Sequence, residues 1–108
     1  MGKLKTELKQ QHEIRSNIAI YLLEAGFKYT TYVYGSDLGY QKAFDVDNGQ
    51  YTTWIHVDLD KNIVNIYKEY GCGGYVASES TSIPDEIVKY DDTEAFITWL
   101  DEEAEYYL

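Results

Sequence analysis

Three clusters of turn-forming residues do most to limit what this chain can fold into. Asp47-Asn48-Gly49, Asp60-Lys61-Asn62 and Gly71-Cys72-Gly73-Gly74 punctuate a region otherwise rich in β-branched and aromatic residues. Asn and Gly tolerate positive φ, so the first cluster is hairpin chemistry. Residues 40–46, 51–59 and 63–70 therefore read as three strands of an antiparallel meander. Residues 28–34 (KYTTYVY) read as a strand before it, followed by turn chemistry at 35–39 (GSDLG), and residues 75–80 read as a strand after it. Pro84 excludes a central strand at its own position.

Helical periodicity marks both ends of the chain. Leu4, Leu8, Gln11, Arg15, Ile18, Leu22 and Ala25 recur at helical spacing, with Ile14, Tyr21 and Leu23 widening the stripe. A helix over 3–25 follows, with its first turns exposed. Gly26 suits a left-handed stop, and Phe27 suits the apolar contact that accompanies one. At the other end Phe96, Ile97, Leu100, Ala104 and Tyr107 form an apolar stripe, with Trp99 at its border. Asp91 or Asp92 can cap that helix, and Asp91 with Glu94 has capping-box spacing. The expected fold is one α+β domain, with an N-terminal helix, an antiparallel meander of four to five strands and a C-terminal helix. Both helices pack on one sheet face.

Strand alternation sorts the side chains. Tyr51, Thr53, Ile55 and Val57 should face the core with Val64, Ile66, Tyr40, Phe44 and Val46. Trp54 and Tyr67 should then lie on the open face, with His56, Asp45, Asp58 and Glu69 around them and Ala43 and Asn65 beside them. An aromatic centre with a polar rim suits a protein interface or a second copy of the chain, although cross-strand aromatic pairs also stabilise a sheet directly.

Charge narrows the functional classes. The 108 residues hold nineteen Asp and Glu against nine Lys and Arg, a net charge of -10. Residues 1–28 are net +2, with five basic residues against three acids, whereas residues 29–108 are net -12, with four Lys against sixteen acids. Such a surface opposes direct nucleic-acid binding, which needs Lys and Arg to replace counterions. No apolar run approaches the roughly 20 residues of a membrane span. The charges within the first 25 residues are unlike a signal peptide, so a cytoplasmic location is expected. One Cys permits no internal disulfide.

Catalytic and metal chemistry find little support. His12 and His56 are the only His residues, and no cluster has zinc spacing. Asp58-Leu59-Asp60-Lys61-Asn62 resembles only the start of a calcium loop, without its Gly and distant Glu. Cys72 could pair with His56, but a reactive thiol needs nearby cations or a helix N-terminus, not acids. The glycines around Cys72 precede no helix and no Lys-Ser/Thr. No enzyme activity, cofactor or metal is expected.

The acids of the last helix are the sharper signal. Asp91, Asp92 and Glu94 favour its N-terminus, but Asp101, Glu102, Glu103 and Glu105 sit at the unfavourable end of its dipole. Tyr106 and Tyr107 could add apolar contact beside them. In size, charge and aromatic content (12 Tyr) the chain resembles the small acidic inhibitors of phages and mobile elements, such as antirestriction and anti-CRISPR proteins. The resemblance implies a DNA mimic that binds a basic, nucleic-acid-binding site on a partner protein. The alternative is a bacterial accessory domain whose acidity serves solubility, and whose sheet face binds a partner or forms a homodimer around Trp54 and Tyr67.

Overall fold

A computed structural model of the chain describes residues 16–30 and 39–108. Eight elements follow in order: α1 (Asn17–Glu24), β1 (Lys28–Thr30), β2 (Gly39–Val46), β3 (Tyr51–Asp58), β4 (Ile63–Tyr70), β5 (Tyr75–Ser82), α2 (Asp85–Tyr90) and α3 (Thr93–Ala104). A short 3-10 turn, Glu105–Tyr107, ends the chain. The parts of the expected elements over 3–15 and 31–38, and His12 with them, lie outside the described residues.

The strands form one five-stranded antiparallel sheet in the order β1-β2-β3-β4-β5. The expected α+β meander is what the chain adopts. The turn from β2 to β3 takes left-handed backbone at Asp47 (φ 53°) and Asn48 (φ 56°), residue types that tolerate it. β3 pairs Ile55 with Ile66 and Val57 with Val64, so the alternating apolar positions of both strands share one face. Those four, with Tyr40, are buried against Ile18 and Leu22 of α1, Ile87 of α2, and Phe96, Leu100 and Ala104 of α3. The helices thus cover one side of the sheet. Phe96 is wholly enclosed, and burying a side chain of that size contributes about 1.5–3 kcal/mol.

α1 ends as its sequence implies. Gly26 is left-handed (φ 96°), the Phe27 amide donates to the Leu22 carbonyl and the Gly26 amide to the Leu23 carbonyl. Lys42, on the helix side of β2, donates from Nζ to the Ala25 carbonyl at 2.5 Å, giving the helix end a positive charge. β5 is an edge strand. It carries Glu79 on the helix side, opposite Ile66, and a register shift near Lys68 and Glu69.

Three expectations need correction. α2, directly after Pro84, is a helix that the sequence reading omitted; it is only six residues long, and its buried residue is Ile87. Asp91 does not cap the last helix. It closes α2 in the left-handed conformation (φ 47°), and Asp92 caps α3 by accepting from the Ala95 amide at 3.1 Å. Thus the capping box from Asp91 to Glu94 does not form. Finally, His56 and Asp58 are buried on the outer face instead of forming an exposed rim. His56 lies against Gly39, where a Cβ would stand 2.4 Å from its Nε2, and meets Asn65 Nδ2 at 3.3 Å. Asp58 turns back to accept the amides of Asp60 and Lys61, both at 3.0 Å.

Candidate protein-binding surface

The acids of the last helix are placed by its apolar stripe. Phe96, Leu100 and Ala104 face the core, and at 100° per residue Glu94, Asp101 and Glu105 line up within about 40° of one another along one flank of the exposed side, with Glu102 most nearly opposite the core. All four are exposed, as is Asp92 at the N-cap; Glu103 is half-buried nearer the core. No Lys, Arg or His occupies the last turn of α3 to oppose them. None of these six carboxylates forms a salt bridge among the described residues. Asp85 and Glu86, exposed in the first turn of α2, add to the negative field.

Asp91 belongs to the architecture instead. Its carboxylate accepts hydrogen bonds from Ser16 Oγ at 3.2 Å, from the Asn17 amide, and from the Ile18 amide at 3.3 Å. These are the unsatisfied donors at the start of α1, so Asp91 serves as an N-cap supplied from 75 residues away. Ser16 completes the cap, accepting from the Ala19 amide at 2.9 Å.

The two tyrosines separate. Tyr106 is 80% exposed and stands edge-on to Tyr107. Tyr107 is only 6% exposed, and its carbonyl accepts from the buried Thr53 hydroxyl at 2.6 Å. Burial, then the nearby Glu79 carboxylate, raises the Tyr107 phenol above the usual tyrosine value. Tyr107 anchors the chain end, and Tyr106 alone of the pair is free to touch a partner.

The other predicted pair lies across the sheet. Trp54 and Tyr67 are directly opposed on β3 and β4, with ring centroids 6.2 Å apart and planes inclined by 16°. Trp54 Nε1 donates to Glu69 Oε1 at 3.0 Å. Because α3 covers one sheet face and this pair lies on the other, the structure does not bring the two groups of predicted residues together.

No protein-family model, curated protein or solved structure matches this chain. No group of three or more His, Cys, Asp or Glu among the described residues is arranged to hold a metal. The start of the calcium-like loop is an Asp-capped turn, with one Asp58 oxygen shared by two amides. Cys72 is exposed in the turn after β4, whereas His56 pairs with Asn65, about 17 Å back along that strand. Those two side chains do not form a nucleophile pair. A cleft of about 260 Å³ opens beside the cap of α1, lined by residues that include Ser16, Asn62, Ile83, Val88 and Asp91. It is smaller than the roughly 300–1,000 Å³ of most ligand pockets. No helix among the described residues is long and apolar enough to cross a membrane.

Proposed function

We propose that this chain is a non-enzymatic acidic binding protein, acting in the cytoplasm, that occupies a basic nucleic-acid-binding site on another protein. The exposed side of α3 supports this reading. Asp92, Glu94, Asp101, Glu102 and Glu105 lie exposed along about 20 Å of helix, with the half-buried Glu103 at their edge. They form two groups, and their mean spacing is about 3–4 Å per charge. A single nucleic-acid strand carries one charge per about 3.4 Å of axis. A rigid carboxylate row of that density would steer and hold a surface built for phosphates, as phage and mobile-element DNA mimics do. Tyr106 would add contact area at low entropic cost.

The placement also runs against helix stability. Acids in the last turn of a helix cost about 0.3–1 kcal/mol each. Selection for stability alone does not explain them, whereas selection for binding does.

The test is capture of partners from a bacterial lysate at low salt, followed by binding assays on each partner identified. The expected partner is a DNA-handling protein, displaced by rising salt, DNA or heparin. Replacing Asp101, Glu102 and Glu103 by Lys should abolish binding while the chain stays folded. Binding that is insensitive to salt and to these reversals would refute the proposal.

A further inference from the structure

We propose that the outer edge of β5 is a docking site for an extended, basic segment of a partner protein, which adds to the sheet as a sixth strand. The site does not rest on the α3 row.

β5 is an eight-residue strand at the end of the sheet, and among the described residues only β4 pairs with it. The opposite edge, β1, has three residues. Proteins blunt long sheet edges with Lys, Pro or a covering element. β5 contains no Lys, Arg or Pro, and its register shift lies at its start, which leaves residues 77–82 regular.

The ladder fixes which groups face outward, because antiparallel bonds join alternate residues. The Ile83 amide donates to the Asn62 carbonyl at 2.8 Å, so Thr81, Glu79 and Ala77 direct their backbone groups to β4. Ser78, Ser80 and Ser82 therefore point three amides and three carbonyls away from β4. All three residues are exposed and small, so another backbone can approach them closely. The Tyr75 hydroxyl meets Ser78 at Oγ (3.1 Å), not at its backbone.

Glu79 sets the chemistry of the occupant. It is the one charged residue of β5, half-buried on the helix side, with no ion pair among the described residues. Lys68, diagonal to it on β4, lies instead 4.5 Å from the Tyr51 ring centre. On an added antiparallel strand, the position opposite Glu79 is non-hydrogen-bonded, with Cα atoms about 4.5 Å apart. An Arg or Lys there meets the carboxylate at close range. A second copy fits worse. Two-fold pairing centred on Glu79 sets the two carboxylates directly opposite each other, and pairing centred on Ser78 or Ser80 leaves them diagonal, about 7–8 Å apart. Each copy also brings a net charge of -10.

The experiment uses Cys72, the chain's single thiol, exposed in the turn that leads into β5. The peptide Thr-Val-Thr-Arg-Thr-Val-Thr-Gly-Gly-Cys is joined to it by a disulfide, which holds the peptide at roughly millimolar effective concentration. Antiparallel docking sets its Arg opposite Glu79. Amide hydrogen exchange is followed by NMR on the full-length, ¹⁵N-labelled chain. The amides of Ser78, Ser80 and Ser82 should exchange about tenfold more slowly than in a chain carrying Gly-Gly-Cys alone. A peptide N-methylated at its third and fifth residues, whose amides face Ser80 and Ser78, should give no slowing. Replacing its Arg by Glu should weaken docking about three- to tenfold, and Glu79→Gln should bring the Arg and Glu peptides within about twofold of each other. The proposal is overturned by serine amides that stay fast, by equal slowing with the N-methylated peptide, by equal slowing with the Arg and Glu peptides, or by an Arg preference that persists in Glu79→Gln. Slowing in the peptide-free chain that rises with protein concentration assigns the edge to self-association and equally overturns it.

Discussion

Removing the Asp91 carboxylate should loosen α1 from the rest of the molecule. α1 has eight residues, too few to hold a helix alone in water. Its start is tied by Ser16 Oγ and the Asn17 and Ile18 amides, all donating to Asp91. Helix caps contribute about 0.5–2 kcal/mol, and hydrogen bonds to a charged group about 1.5–3 kcal/mol. The site is partly open to water, so the combined loss should be about 2–3 kcal/mol, a large fraction of the 5–15 kcal/mol of a typical domain. The choice of substitution matters because Asp91 is left-handed. Asp91→Gly removes the carboxylate without backbone strain, whereas Asp91→Ala adds about 1 kcal/mol of it. Urea unfolding should therefore rank unaltered chain, Asp91→Gly and Asp91→Ala in descending stability. Hydrogen exchange should show the amides of Ala19 and Leu22 opening before those of Ile55 and Val57. If Asp91→Gly stays within about 0.5 kcal/mol of the unaltered chain, the cap has no energetic weight and the reasoning is wrong.

Four other outcomes are expected. Gly39→Ala should destabilise by about 1–3 kcal/mol in urea melts, since the new Cβ would meet His56 Nε2 at 2.4 Å and the Val57 carbonyl at 2.7 Å. Thr53→Val keeps the shape but strips the Tyr107 carbonyl of its donor, and should cost about 1–3 kcal/mol in the same assay. Glu105→Lys should raise thermal stability by about 0.3–1 kcal/mol through the helix dipole while weakening partner binding. The raised Tyr107 phenol keeps its proton in the folded chain after the unfolded chain has lost it, so this residue's contribution is complete below the ordinary tyrosine value and is lost as pH rises through the folded value. Tyr107→Phe should accordingly move alkaline unfolding, followed by circular dichroism, to higher pH.

Local chemistry made much of this architecture legible. The turns at 47–49 and 60–62 declare themselves through Asp, Asn and Gly, and alternation places Ile55, Val57, Val64 and Ile66 on one face. Long-range events were not legible. α2 is six residues long, too short for a periodic signal to mark. Asp91 and Asp92 look equivalent in sequence, yet one caps the following helix and the other a helix from the far end of the chain. Tyr106 and Tyr107 are likewise neighbours with opposite fates, settled by Thr53 reaching the Tyr107 backbone. His56 alternates outward as a rim residue should, and only its fit over Gly39 shows that it is enclosed. Of the candidate surface, the acidic side of α3 could be read from periodicity. The separation of that side from Trp54 and Tyr67 by a whole sheet needed the packing.

Every strand in this sheet hydrogen-bonds only to strands adjacent in the chain. Such a pattern needs few distant encounters, so the meander should assemble quickly by successive short loop closures. The contact between Asp91 and the start of α1 spans 73 to 75 positions and has no such shortcut. As a latch it should engage only after the strands are in place, which would make α1 dependent on the completion of the chain's last third.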